Sequence, residues 1–205
     1  MIGIIDYGLG NISAFENIYR SNHIKTKRIK TKEDFEGITH IILPGVGAFD
    51  KAISLLKNSG LIEDLNCLVL KERIPILGIC VGMQIMANRS DEGKLDGLGW
   101  IPGHVKKFTH ELFNNETYIP HMGWNDLKIK KNNYIFEGLD SPKFYFLHSY
   151  FFEPKNEENI IGSTSYGIDF PSILNSENIF AAQFHPEKSH HFGERILLNF
   201  SKTLC

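Results

Sequence analysis

Cysteine is scarce in this chain. Three occur in 205 residues, as Cys67, Cys80 and Cys205, with no CxxC spacing among them. Thiols so few and so scattered exclude a disulfide framework and a cysteine-built zinc site, and they point to a reducing cytoplasm. Long apolar runs are missing too. The longest stretch without a charge, Ile74 to Asn88, is broken by Pro75, Gly78, Gly82 and Gln84 and is too short to span a bilayer. The opening Met-Ile-Gly-Ile-Ile-Asp has no basic region and no secretory-signal pattern. Neither charge dominates: 22 Lys and Arg stand against 24 Asp and Glu, a net charge of -2. That balance gives no reason to expect nucleic acid or a membrane as partner. No Gly-Lys-Ser/Thr phosphate loop is present, and Asp6 to Asn11 is too degenerate for a dinucleotide fingerprint, so no cofactor is expected. Repeats and low-complexity tracts are absent as well.

What is present is an ordinary globular composition, 42% hydrophobic and 22% charged, in a chain long enough for one domain with a substantial core. A single domain over residues 1–205 is the expectation. Ile2 to Asp6, His40 to Leu43 and Ile74 to Ile79 are short apolar runs of the kind that form buried strands. Asn11 stands where it would cap a helix with Ile12, Phe15, Ile18 and Tyr19 on one face. Leu61 to Glu72 is amphipathic along Leu61, Leu65, Leu68 and Val69, and a helix is expected over Cys80 to Asn88. Strands alternating with helices predict an α/β fold of three layers, with a mostly parallel central sheet covered on both faces. The second half is richer in β-formers. Trp100-Ile101, Val105 to Phe108, Lys143 to Phe152, Ile160 to Thr164 and Ile179 to Phe184 predict antiparallel additions, and a helix from about Phe192 to Lys202 closes the chain.

The strongest local pattern is Gly78-Ile79-Cys80-Val81-Gly82. An apolar strand enters it and a helix leaves it, the setting in which a nucleophile sits on a sharp turn. The N–H groups at such a helix start favour a thiolate. Most lone cysteines are buried apolar side chains, which is the reading given to Cys67 and Cys205. A thiolate nucleophile needs a base, and His185 follows the apolar run that ends at Phe184. Glu187 lies two residues on, where an extended backbone would point it the same way and let it orient the imidazole. With His185 as base, the rate should fall on the acid side as the imidazole protonates. His185, Glu187, His190 and His191 also form a sequence cluster, but they lack the spacing of a metal site, so no metal is expected. Pro44-Gly45-Val46-Gly47 closes another buried strand. In a doubly wound sheet its N–H groups would reach the same crevice as Cys80. Val46 or Gly47, together with Val81, would then hold an oxyanion.

These residues resemble the class I, triad-type glutamine amidotransferases. The resemblance runs through Ile5-Asp6-Tyr7-Gly8 to Asn11, Leu43-Pro44-Gly45-Val46-Gly47-Ala48-Phe49 and Gly78-Ile79-Cys80-Val81-Gly82-Met83-Gln84. It continues through Pro120-His121-Met122-Gly123-Trp124-Asn125 and Phe146-Leu147-His148-Ser149-Tyr150, and ends with Gln183-Phe184-His185-Pro186-Glu187-Lys188-Ser189. Within that family the Pro-His-Met-Gly-Trp-Asn and His-Ser-Tyr segments are similar to the glutaminase subunits of imidazole glycerol phosphate synthases. The resemblance implies that Cys80 attacks the side-chain amide of glutamine, that His185 is base and acid, and that Glu187 orients it. It also implies that Gln84, Glu92, His148, Ser149 and Tyr150 lie where glutamine is held.

A thioester intermediate, released glutamate and ammonia kept from water are implied in the same way. So is a heterodimer with a (β/α)₈-barrel cyclase, which takes the ammonia to form imidazole glycerol phosphate and AICAR in histidine biosynthesis. In that subfamily glutaminase activity rises when the partner binds its nucleotide substrate. Val81, where Leu is usual, and Trp100, where an aliphatic residue is usual, depart from the pattern. A second reading therefore keeps the chemistry and passes the ammonia to a partner that aminates a surface-polysaccharide sugar. A third is a non-catalytic binding or regulatory subunit of the same fold. The loop Tyr7 to Asn11 and the segment around Trp124 are the first places to look for the partner's interface.

Overall fold

The computed structural model describes residues 1–109 and 118–203. Its first half alternates strand and helix. Strand β1 is Ile2–Ile5, helix α1 Ile12–Ser21, strand β2 Thr26–Ile29 and strand β3 His40–Gly45. Helix α2, Phe49–Asn58, and helix α3, Ile62–Asn66, follow, the latter running into a wider turn over Cys67–Lys71. Strand β4 is Ile76–Cys80, and helix α4 is Val81–Gln84. Among the described residues nine strands come after it: β5 Arg89–Ser90, β6 Gly103–Lys107, β7 His121–Asp126, β8 Lys128–Ile129, β9 Lys143–His148, β10 Tyr150–Pro154, β11 Ile160–Tyr166, β12 Ile168–Ser176 and β13 Ile179–Ala182. Helix α5, His190–Phe200, is the last element.

The main sheet has the order β2-β1-β3-β4-β13-β12-β11-β8. Its first five strands are parallel. The last three join antiparallel. This is the expected α/β sheet with antiparallel additions. Every residue of β1, β3, β4 and β13 is buried, so both faces of the parallel part are covered. Tyr19 of α1 is fully buried, and its hydroxyl donates to the Leu197 carbonyl of α5 at 3.2 Å. Two smaller sheets flank this core. One has the order β10-β6-β5, and the other pairs β7 with β9.

Several elements differ from the sequence expectation. The helix after Cys80 spans one turn rather than reaching Asn88. The Asn88 N–H, which would continue it, donates instead to the Gly103 carbonyl, and the carbonyls of Ile85, Met86 and Ala87 accept from the N–H groups of Leu98, Ile101 and Gly99. Trp100 and Ile101 lie in that returning loop and not in a strand; the Trp100 indole N–H donates to Asn66 Oδ1 at 2.7 Å. Lys143 to Phe152 breaks at Ser149 into two strands that enter different sheets. Asn11 precedes α1 but makes no side-chain cap hydrogen bond. Leu61, Leu65 and Val69 do line the buried side of the segment after α2, four residues apart. Cys67 is half-buried rather than a core thiol, and Cys205 lies outside the described residues.

Candidate active site

Cys80 ends β4 and starts α4. Its φ is 55° and its ψ -113°, a conformation that costs a side-chain-bearing residue on the order of 1–3 kcal/mol. Two close backbone approaches hold the elbow there. A Cβ on Gly82 would lie 2.0 Å from the Leu43 carbonyl, and one on Gly45 would lie 2.3 Å from the Gly82 nitrogen. Only glycines let the end of β3 touch the start of α4. Val46 and Gly47, just beyond β3, are therefore brought to the mouth of the Cys80 cleft, as is Val81. The loop after β1 braces that arrangement: the buried Tyr7 hydroxyl donates to the Pro44 carbonyl at 2.8 Å. Burial, and then the charge at Cys80, raise the Tyr7 pKa above the usual phenol range.

His185 arrives from the other side. Strand β13 pairs in parallel with β4, with Ala181 beside Gly78 and Ala182 beside Ile79. The chain leaves that strand through Gln183 and Phe184 to His185, which is 3% exposed. Its Nδ1 lies 2.9 Å from Glu187 Oε1. The pairing expected from sequence is present, but the backbone differs. Pro186–Lys188 is a 3₁₀ turn and not an extended strand, so the turn rather than strand alternation brings Glu187 back to the ring. Ser189, fully buried, fixes the turn by donating to the His185 carbonyl at 2.6 Å and accepting from the Tyr145 N–H at 2.9 Å. Burial opposes a charge on His185. Hydrogen bonds with Cys80 and Glu187, together with their charges, outweigh it and push the imidazole pKa up to about 10. That direction runs against the expectation of an imidazole titrating on the acid side, because it favours the protonated ring.

The cleft encloses about 360 Å³, room for a small amino acid. Gln84, Glu92, His148, Ser149 and Tyr150 line it with Val46, Gly47, Cys80, Val81 and His185. Every candidate catalytic, oxyanion or glutamine-binding residue but Glu187 thus lines one cavity, and Glu187 stands behind His185. Their polar atoms are not equally free. The Glu92 carboxylate already accepts from the Phe49 N–H at the start of α2, at 2.8 Å. Burial, then the charges of Glu92 and Asp91, raise the Tyr150 pKa. Both His148 ring nitrogens are engaged. Nδ1 lies 2.8 Å from the Tyr150 carbonyl, and Nε2 lies 2.9 Å from His121 Nδ1. A carbonyl only accepts, so His148 carries its proton on Nδ1 and accepts at Nε2. His121 then donates from Nδ1 and accepts at Nε2 from Asn125 Nδ2, 3.2 Å away. Burial lowers the His148 pKa to about 3, with a further push from His121, and lowers that of His121 to about 4. His148 is thus a neutral support under Tyr150 rather than a free ligand group.

A family model for class-I glutamine amidotransferases matches residues 4–203. The chain belongs to that family. Among curated class-I relatives, the imidazole glycerol phosphate synthase subunit HisH of Bdellovibrio bacteriovorus is 50% identical, over 98% of this chain and 100% of that protein. The protein of the same name from Leptospira borgpetersenii is 45% identical, over 98% and 99%. The one from Methanocaldococcus jannaschii is 42% identical over the whole of both. Among solved structures, a glutamine amidotransferase superposes with a TM-score of 0.76 at 20% identity, covering 98% of this chain and 99% of that one. A glutamine amidotransferase from Thermotoga maritima reaches 0.63 at 19% identity, covering 98% and 81%. At such identities these two carry the amidotransferase fold alone.

Sequence reasoning passed over other residues of the amidotransferase cleft. Pro120, Leu147 and Lys188 also line it. His121 and Gln183 lie behind it, buried and hydrogen-bonded to lining residues. All five fall inside motifs that carried the resemblance, so a signal existed, but nothing local distinguished them from packing residues. His190 and His191 do not join the His185–Glu187 pair: His190 stacks on Trp124 with centroids 5.2 Å apart, and His191 packs on Phe192. Among the described residues no helix is long and apolar enough to cross a membrane.

Proposed function

We propose that this chain, one amidotransferase domain over residues 1–205, is the cytoplasmic glutaminase subunit of an imidazole glycerol phosphate synthase. It hydrolyses glutamine to glutamate and ammonia and passes the ammonia to a (β/α)₈-barrel cyclase that forms imidazole glycerol phosphate and AICAR in histidine biosynthesis. The observation that carries the chemistry is Cys80, strained at a strand–helix elbow and lining one cleft with a His185 that Glu187 holds. Full-length relatives at 42–50% identity that bear the HisH name support the pathway.

The steps follow from the cleft. The Cys80 sulfur attacks the side-chain amide carbon of glutamine. The carbonyl oxygen becomes an oxyanion, and backbone N–H groups of Gly47 or Val46 and of Val81 face it. His185, protonated, gives its proton to the amide nitrogen, and ammonia leaves a thioester behind. Water then attacks the thioester, with His185 now taking the proton, and glutamate departs. Gln84 offers its carbonyl oxygen to the α-ammonium, because both its amide hydrogens are spent on Tyr150 and Gln183. Glu92 adds negative charge at the same wall, and Ser149 and Tyr150 supply donors for the α-carboxylate.

Cys80→Ala is expected to lower glutamate release at least about a thousandfold in the assembled complex while leaving glutamine binding intact. Retained turnover in that variant would remove Cys80 from the mechanism. Rescue of a histidine auxotroph lacking its glutaminase subunit tests the acceptor. Failure to rescue, with glutaminase activity intact, would favour the sugar-aminating partner. Trp100, which helped to motivate that alternative, is accounted for by its bond to Asn66 and lies outside the cleft lining.

A further inference from the structure

Gln183 is fully buried, yet it does not line the cleft and no step of the reaction uses it. Its position follows from register. Ala182 pairs with Ile79 across the parallel strands β13 and β4, so the next positions along them are Gln183 and Cys80. The orientation of its carboxamide is also determined. The Tyr150 carbonyl can only accept, so the group of Gln84 that lies 3.2 Å from it is the amide nitrogen. That same nitrogen lies 3.0 Å from Gln183, which must therefore present its oxygen there. The Gln183 nitrogen is left facing Cys80 Sγ at 3.8 Å, within hydrogen-bond range for sulfur.

The sulfur needs such a donor. On another side it meets the Leu147 carbonyl oxygen at 3.9 Å, which accepts from a thiol but repels an anion. As a packing residue Gln183 would be a poor choice, since one of its donors is spent on a weak acceptor in a fully buried site where an apolar side chain would fit. We propose that Gln183 is a further catalytic residue, whose amide N–H donates to the Cys80 sulfur and stabilises its anionic, attacking form, with Gln84 fixing the orientation of the amide. This rests on the glutaminase reading for its consequence in turnover, but not for its effect on the sulfur.

Three proteins test it: the wild type, Gln183→Met and Gln183→Glu, each assembled with the cyclase partner. Two measurements are made on each. One is kcat and KM for glutamine hydrolysis. The other is the pH profile of Cys80 alkylation by iodoacetamide, in which the sulfur displaces iodide, followed by mass spectrometry of the Cys80 peptide. Methionine keeps the volume and removes the donor. It is expected to lower kcat roughly 10- to 100-fold with KM changed less than about threefold, the loss typical of a bond to a charged group. Its alkylation profile is expected to move to higher pH, with thermal stability equal to or above wild type.

Glutamate at 183 still accepts from Gln84 but sets a carboxylate against the sulfur. Its rate relative to wild type is expected to be lowest at alkaline pH and to recover as the pH falls and the carboxyl becomes a donor again. This pH signature also serves if Gln183→Met does not fold. A folded Gln183→Met with wild-type kcat and a superimposable alkylation profile would overturn the proposal. So would a raised KM with an unmoved profile, which would make Gln183 a support for Gln84 only. If the wild type releases no glutamate, the glutaminase reading fails, and the alkylation profiles still decide the Gln183 contact.

Discussion

Contacts and charge at Cys80 and Glu187 together favour the protonated form of the buried His185. Of the Glu187 carboxylate, Oε1 is the only hydrogen-bonded oxygen; Oε2 is buried with no partner among the described residues. An orphaned carboxylate oxygen is costly. Since the His185 pKa is raised, to about 10, the paired imidazolium persists below that pH and is lost as the pH rises through it. The kcat profile is therefore expected to fall on the alkaline side. Glu187→Gln keeps the shape and removes the charge. It should move that alkaline limb to lower pH and reduce kcat on the order of a hundredfold or more. An unmoved limb in steady-state profiles of the complex would free Glu187 from this role. His148 and His121 behave in the opposite sense. Their folded-state values, about 3 and about 4, lie below the unfolded value near 6.5, so the unfolded chain binds the extra protons as pH falls. The stability they contribute is complete above pH 6.5 and is lost in acid, at about 2 kcal/mol for each between pH 7 and pH 5. His148→Gln is expected to flatten the acid loss in urea denaturation by about that amount.

At the scale of elements, the site depends on how closely β3, β4 and α4 meet. The Gly45–Gly82 contact brings the loop at Val46 and Gly47 against the elbow, and a single methyl there meets backbone rather than a movable side chain. Gly82→Ala is expected to cost about 3 kcal/mol or more and to abolish turnover, because β3 and α4 must separate. Thermal unfolding and glutaminase assays of the same preparation check both effects; a stable and active Gly82→Ala would show that the contact is dispensable. The loop at Tyr7 to Asn11 looks different in the fold than in the sequence. Tyr7 is buried against Pro44 and braces the loop at Val46 and Gly47, while Gly8 and Asn11 are its exposed members.

Across the whole molecule, the cleft opens beside an unusual surface. Strand β7 exposes Met122 at 65% and Trp124 at 47%, and its neighbour β9 exposes Leu147 at 40%. Met122 pairs with Leu147 and Trp124 with Tyr145 across the two-stranded sheet, and Leu147 also lines the cleft. An apolar patch continuous with the site is where an ammonia-receiving partner would seat. Trp124→Ala is expected to weaken cyclase binding by about 2 kcal/mol, roughly thirtyfold, with little change in melting temperature. Calorimetric titration of the two subunits reads the first quantity. Unchanged affinity would place the interface elsewhere.

Local chemistry was enough to mark the ends of the site. The apolar run into Cys80, the glycines beside it and the His185-Pro186-Glu187 string are contiguous, so their meaning survives without a third dimension. The parallel core was legible for the same reason, since β1, β3 and β4 are buried on both faces and read as unbroken apolar runs. The short α4 was not. The carbonyls just beyond it, of Ile85, Met86 and Ala87, are taken by Leu98, Ile101 and Gly99, partners that no local window contains. Nor was the break at Ser149, where two sheets compete for one run of β-formers. The meeting of Cys80 with His185 and Gln183 is likewise a product of β13 entering the sheet beside β4, about a hundred residues later in the chain. The sequence alone pointed to Cys80, His185 and Glu187 as the candidates for the chemistry. Only the tertiary structure decided their protonation, their hydrogen-bond directions and their distances, because each of these depends on neighbours that arrive from distant segments and exclude water together.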